Sequence, residues 1–212
     1  PEMPDVKDFT KQIVVCESGK FGAIVCSDFD NALDAKTLSP GKSRAEKQCS
    51  GAYLGDVAFE ALKAAAEEGL FGKACAKRIL SLQSLSLVEA DAFLHAPYNT
   101  NALLGALAAE SASDEDYDRM FQLLDAVMER SARYAAAILA ACVIQSGEGK
   151  NASRPVCILC NGSTYFKTHM LSERVHGYLE EALTKGRGLY WEIISRENDI
   201  TLGAAIAGLI TK

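Results

Sequence analysis

Acidic residues and glycine bends next to apolar runs are where this chain could do chemistry. Glu17 directly follows the run Gln12 to Cys16. A carboxylate is an acceptor-only group and a strong partner for hydroxyls, so an acid at a strand end suits a polar ligand. Asn161-Gly162-Ser163 follows the apolar run Val156 to Cys160 and precedes a helical pattern. Glycine there lets a ligand approach the backbone, and helix-start amides favour anions. Each feature also has an ordinary structural reading. Glu17 suits a solvated turn, Asn-Gly suits any strand-to-helix turn, and Glu46 suits a helix start for dipole reasons alone.

Other combinations fail on spacing. Gly41-Lys42-Ser43 resembles the end of a phosphate-binding loop, but position 36, where that motif needs glycine, is Lys, and no strand precedes it. Cys157 and Cys160 form a CxxC pair, yet residues three apart on a strand point to opposite faces, and no second pair completes four ligands. His95, His169 and His176 accompany no nucleophile motif. Asn151 and Asn161 head glycosylation-type triplets with no secretory signal to use them.

The elements that would position these groups follow from periodicity. Gln12–Cys16 predicts a strand, which Phe21–Cys26 continues or pairs with. Residues 43–68 predict an amphipathic helix with a break near Ser50-Gly51, stopped by Gly69 and Gly72. Shorter helices are expected at 72–80, 87–95 and 99–110. Ser113-Asp114-Glu115-Asp116 is a helix-start signature. It opens a helix through Gln145 whose apolar second half is expected to be buried on most sides. Val156–Cys160 predicts a central strand covered on both faces. A helix over 167–185, a strand over 189–194 and a small-residue helix over 200–210 complete the chain. Strand, helix, strand, helix builds a parallel sheet by right-handed crossovers. Ligands bind such sheets at the strands' carboxyl ends, which places 161–163 and 196–199 on one edge, with Glu17 as a third member.

Composition narrows the classes. The chain has 212 residues, of which 49% are hydrophobic and 24% charged, so a globular core is available. Its formal net charge of −6 offers no cationic excess for nucleic acid or an anionic membrane. No stretch is suited to crossing a bilayer. Seven cysteines, an odd number at core-like positions, read as buried thiols in a reducing cytoplasm.

Several segments then fall in one order. Glu17-Ser18-Gly19-Lys20-Phe21-Gly22 resembles the Glu-Trp-Gly-Ala-Phe-Gly segment of eukaryotic-type hexokinases and glucokinases. Pro40 to Asp56 resembles their Pro-Gly-Lys, Glu-Lys, Ser-Gly and Tyr-Leu-Gly-Glu segment. Ser131-Ala132-Arg133-Tyr134-Ala135 is similar to their Ser-x-Arg-x-Ala helix. Val156 to Lys167 resembles their adenosine-binding strand and turn, and Gly203-Ala204-Ala205 their last helix.

The resemblance implies an α/β chain with the actin-like ATPase (ribonuclease H-like) fold, here the C-terminal portion of the large domain over 1–212, helix-rich with a small mixed sheet. It implies transfer of the γ-phosphoryl group of ATP, with Mg2+, to the 6-hydroxyl of a hexose such as glucose. Glu17 and Glu46 would accept hydrogen bonds from sugar hydroxyls. Gly51, Gly162 and Ser163 would line the nucleotide. Departures are Ser18 in place of Trp, Asn161 in place of Asp, and Asp199-Ile200-Thr201-Leu202 in place of Gly-Ser-Gly-Lys. The family's general-base Asp and both phosphate motifs have no counterpart here. The expectation is therefore a part of a longer hexokinase, without its N-terminal lobe and the first strands of its sheet, and inactive alone. Such a sheet has an edge expected either to invite association or to be covered by the N-terminal segment. Two competing expectations are a non-catalytic sugar or nucleotide sensor of the same fold, and an unrelated helical interaction domain without a parallel sheet.

Overall fold

The computed structural model describes residues 15–195 and 199–210. The predicted strand at 12–16 falls mostly outside these residues. Positions 15 and 16, and the whole predicted partner at 21–26, carry no strand. In its place Ser18–Lys20 forms a single 3₁₀ turn, and 21–27 runs as irregular chain.

Ten α-helices and two strands follow among the described residues: α1 (Asp28–Lys36), α2 (Arg44–Cys49), α3 (Leu54–Glu67), α4 (Lys73–Ser81), α5 (Leu87–His95), α6 (Leu103–Ser111), α7 (Asp114–Ser146), β1 (Val156–Leu159), α8 (Ser163–Lys167), α9 (Leu171–Leu179), β2 (Trp191–Ile194) and α10 (Asp199–Ile210). A π-helical turn, Glu180–Lys185, extends α9. The predicted break near Ser50-Gly51 separates α2 from α3. The helix expected over 167–185 is α9 with its π-helical extension, starting only at Leu171, and α1 was not anticipated. No described helix is long and apolar enough to cross a membrane.

Three helix starts are closed by capping boxes: Ser27 with Asp30, Ser86 with Glu89 and Ser113 with Asp116. Each hydroxyl accepts the third-position N–H, and each acid accepts the cap's own N–H, so two otherwise unpaired donors are satisfied. Asp116 does more: its Oδ1 also accepts Gly72 N–H at 2.7 Å, locking α7 to the start of α4. Burial pushes the Asp116 carboxyl up, but the hydrogen bonds from Ser113 and Gly72 outweigh it and hold the group below its ordinary value.

The 33-residue α7, about 50 Å long at 1.5 Å per residue, serves two cores. Met120, Leu124, Val127 and Met128 pack with α3 to α6 around Leu54, Leu62, Ile79 and Phe93. Ala132, Ala136, Ala140 and Val143 pack with α9 and the sheet around Ile158, Val175, Leu179 and Leu183. The expectation of burial on most sides is corrected here. Ala136, Ala140 and Val143 are buried, whereas Ala137, Ala141, Cys142 and Ile144 are exposed. Periodicity places an apolar face but does not supply its partner.

β1 and β2 pair in parallel, Val156 opposite Trp191 through Leu159 opposite Ile194. The crossover through α8 and α9 is thus the predicted strand–helix–strand unit, and the purely helical alternative falls. Coverage on both faces does not hold: Ile158 is buried, while Cys157 and Leu159 are exposed. The thiols also depart from expectation. Only Cys75 is buried, and Cys16, Cys142 and Cys157 are exposed.

Candidate functional site: a short helix between two glycine contacts

The site is organised by α2. Its preceding residue, Ser43, is left-handed (φ 50°), and its first-turn acid is Glu46. Glu46 itself is exposed, but the helix is fixed from beneath by Lys47. Lys47, 4% exposed, donates all three ammonium protons: to Asp34 Oδ1 at 2.5 Å, Thr37 Oγ1 at 2.8 Å and Ser39 O at 2.8 Å. A buried ammonium is tolerable only when so completely paired. Asp34 also accepts Gly41 N–H at 2.7 Å. Lys47 first, then Gly41, hold its carboxyl below the ordinary value. Sequence reading missed Lys47. The available signal was a lysine among Ala45 and Gln48, the residues of α2 that face inward.

At one end of α2, the 3₁₀ turn that carries Glu17 packs against it. A side chain at Gly19 would sit 3.1 Å from Glu46 Cβ, so glycine is what lets the turn close on the helix. Glu17 has left-handed backbone (φ 47°), and its carboxylate, 58% exposed, pairs with Lys20 at 3.2 Å. The two predicted acids, Glu17 and Glu46, thus come from contacting segments, and both are open to solvent.

At the other end, Gly51 follows α2. A Cβ there would fall 2.1 Å from Thr164 Oγ1, 3.2 Å from its Cβ and 3.3 Å from its Cγ2. Gly51 is therefore brought into direct contact with the first turn of α8, next to Ser163 and Gly162. Gly162 has φ 113° and ψ 144°, a region open to glycine and strained for other residues, and no atom lies within 4 Å of its missing Cβ. Gly162 and Ser163 are exposed. The turn sits at the carboxyl end of β1, as predicted. Residues 196–198, expected beside it, lie outside the described residues.

Ser131 ties this assembly to α7, its hydroxyl donating to Cys49 O at 3.3 Å. Arg133, two residues on, instead reaches Glu129 Oε1 at 3.0 Å and the Tyr178 hydroxyl at 2.9 Å, away from α2.

Ser50 Oγ, beside Gly51, is buried and has no hydrogen-bond partner. Gly162 leaves the exposed side of the turn free of a side chain, whereas the place of a side chain at Gly51 is filled by Thr164. Among the described residues, no group of three or more His, Cys, Asp or Glu gathers to hold a metal.

A hexokinase family model matches residues 2–210. Hexokinase-2 of Solanum tuberosum is 25% identical over 186 residues, covering 82% of this chain and 38% of the relative. Hexokinase-2 of Homo sapiens is 30% identical over 170 residues, covering 75% of this chain and 18% of the relative. The chain thus spans well under half the length of these relatives. A hexokinase from Schistosoma mansoni complexed with glucose superposes with a TM-score of 0.63 at 19% identity, covering 81% of this chain and 38% of that one. A second hexokinase crystal structure gives 0.67 at 24% identity, covering 85% and 40%. The shared fold is the actin-like ATPase fold expected from the sequence, and the chain belongs to the hexokinase family.

Proposed function

We propose that this chain is the C-terminal portion of a hexokinase large domain, contributing part of the site that transfers the ATP γ-phosphoryl group to the 6-hydroxyl of a hexose such as glucose. One observation carries the reading: α2 is held at one end against the Glu17 turn and at the other, through Gly51 and Thr164, against the turn of Gly162 and Ser163. A single rigid six-residue helix thereby couples an acidic, hydroxyl-accepting surface to an open glycine turn.

Glu17 and Glu46 accept hydrogen bonds from sugar hydroxyls and orient the ring. Carboxylates suit this task because they accept strongly and never compete as donors. Gly51, Gly162 and Ser163 line the nucleotide, with Ser50 Oγ free to pair with it. Bound ATP supplies the phosphoryl group, with Mg2+ arriving on its phosphates. Phosphoryl transfer depends on positioning and charge stabilisation, and no base or phosphate motif comes from this chain. The 212 residues alone are therefore inactive.

A coupled assay with glucose and magnesium-ATP tests this. No turnover is expected from the chain alone. Turnover is expected when it is joined to a hexokinase N-terminal lobe carrying the phosphate motifs and the catalytic Asp. Turnover by the chain alone overturns the fragment reading. A joined protein that binds glucose without phosphorylating it overturns the kinase reading in favour of a sensor.

A further inference from the structure

Two side chains of α2 point at the thiol of Cys26, where the irregular segment 21–27 lies against that helix. Gln48, 2% exposed, donates from Nε2 to Cys26 Sγ at 3.1 Å. Arg44 Nη1 donates to the same sulfur at 3.8 Å. The thiol itself donates to Ile24 O, a long contact of 3.6 Å. The backbone fixes this arrangement, because Ala45 N–H donates to Phe21 O at 3.2 Å. Cys26, Arg44 and Gln48 line a cavity of about 10 Å³, which has room for about one water-sized group. The Gln48 amide that meets the sulfur carries an unsatisfied oxygen. Its Oε1 is buried and has no hydrogen-bond partner among the described residues. A buried acceptor left in this state is costly until a donor reaches it. Reduced Cys26 does not supply one, since its proton is turned to Ile24 O.

We propose that hydrogen peroxide oxidises Cys26 to a sulfenic acid that this cavity holds, its hydroxyl donating to Gln48 Oε1. The sulfur attacks one peroxide oxygen. The S–O bond forms and the O–O bond breaks. The departing hydroxide takes the thiol proton and leaves as water. Sulfur loses two electrons, and peroxide gains them. The added oxygen fills the cavity and leaves no room for a second, so oxidation stops before the sulfinic acid. The product ties the 21–27 segment more firmly to α2, the helix that carries Glu46. This chemistry does not depend on the sugar-kinase reading.

The other thiols are placed differently. Burial pushes Cys49 and Cys75 each to about 11, so both keep their protons. Burial also pushes Cys160 up. Cys16, Cys142 and Cys157 are exposed, so a sulfenic acid at any of them faces solvent. Cys26 is half-buried, within reach of peroxide and beside an enclosed acceptor.

The tryptic peptide 21–36 contains Cys26 and no other cysteine, which makes the test direct. The 212-residue chain is treated with a stoichiometric amount of hydrogen peroxide, and catalase then removes the excess. Dimedone added afterwards is expected to label peptide 21–36. Before labelling, the oxidised chain is expected to melt about 2–4 °C above the reduced one, the worth of one newly paired buried acceptor in a chain of this size. Dithiothreitol is expected to reverse the shift. Cys26→Ser is expected to abolish the rise. Gln48→Met keeps the bulk but lacks the acceptor, so its label on 21–36 is expected to fall about fivefold and its rise to vanish. An unlabelled peptide 21–36 in the wild type, sulfinic acid as its main product, or a melting temperature that falls on oxidation overturns the proposal. Those three readings use the wild-type chain alone, so they decide the matter even if Gln48→Met fails to fold. A rise that persists in Cys26→Ser or in folded Gln48→Met overturns it as well.

Discussion

Gly51 approaches Thr164 so closely that a methyl group on it would overlap the threonine hydroxyl at 2.1 Å and touch both its carbons. Rotating Thr164 does not relieve this, because Cβ itself lies 3.2 Å away. Gly51→Ala should therefore push α8 from α2 and cost about 1–3 kcal/mol, the usual range for overpacking. Thr164→Ala removes the two outermost atoms, so the glycine substitution should cost less in that background. Urea denaturation of the four proteins measures the coupling. Equal costs in both backgrounds would show that the contact does not constrain the turn.

Asp30 and Arg130 are a hundred residues apart and meet in a two-pronged ion pair at 2.7 and 2.8 Å, with the aspartate side chain 4% exposed. Asp30 also accepts Ser27 N–H at 2.8 Å and the Ser27 hydroxyl at 2.7 Å. Removing either partner leaves a poorly solvated charge, which costs about 3–5 kcal/mol in buried pairs. The two costs should differ. Arg130→Met leaves Asp30 with both Ser27 donors, whereas Asp30→Ala strands the arginine and removes the acid half of the α1 capping box. The denaturation midpoint should fall further for Asp30→Ala, with the slope m unchanged in both. The reverse order would mean that the cap contributes little.

These two contacts mark what the sequence could and could not reveal. The parallel pairing of β1 with β2 was legible because two β-rich runs flank a helical stretch, and that order has one common topology. The break between α2 and α3 was legible from Ser50-Gly51. Helix α1 was not, because only Asp30 and Leu33 of its nine residues are buried and no apolar stripe announces it. Its start rests instead on Ser27 and Asp30, a capping pair with Asp in place of the more familiar Glu. The exposed face of α7 was illegible for another reason. Ala137, Ala141 and Cys142 are as apolar as their buried neighbours, so composition alone could not say which side is covered. The spatial meeting of the Glu17 turn with α2 came from a family resemblance. No local pattern in the sequence encodes a contact across that distance.

Acid should weaken the support of α2. Asp34 has its carboxyl held low by Lys47 and Gly41, and Glu89 by the hydroxyl and N–H of Ser86. A carboxyl with a lower value folded than unfolded contributes stability that is fully present above the unfolded value, about 4. That contribution is lost as pH falls through the folded value. Unfolding free energy should therefore be flat near neutrality and fall below about pH 4. Asp34→Asn should flatten this acid limb and cost about 3 kcal/mol at pH 7, since it strands the buried Lys47 ammonium. Urea melts of both proteins from pH 3 to 7 check this. An unchanged acid limb in Asp34→Asn would assign the loss to other carboxylates.

The proposed sugar contacts make the last prediction. Glu17 and Glu46 are exposed, and neither holds another element in place, so glutamine at either position should leave the melting temperature unchanged. A hydrogen bond to a charged acceptor contributes about 1.5–3 kcal/mol. In the chain joined to its N-terminal lobe, Glu17→Gln or Glu46→Gln should therefore raise the glucose KM roughly 10- to 100-fold. The KM for ATP should stay within a factor of about two, because the proposed nucleotide contacts lie on a separate glycine turn. Lys47→Met offers the contrast. It removes the buried ammonium under α2 and should lower stability and glucose affinity together. If both glutamine variants keep a normal glucose KM while Lys47→Met loses stability alone, the acidic surface does not bind the sugar, and α2 is only a structural strut.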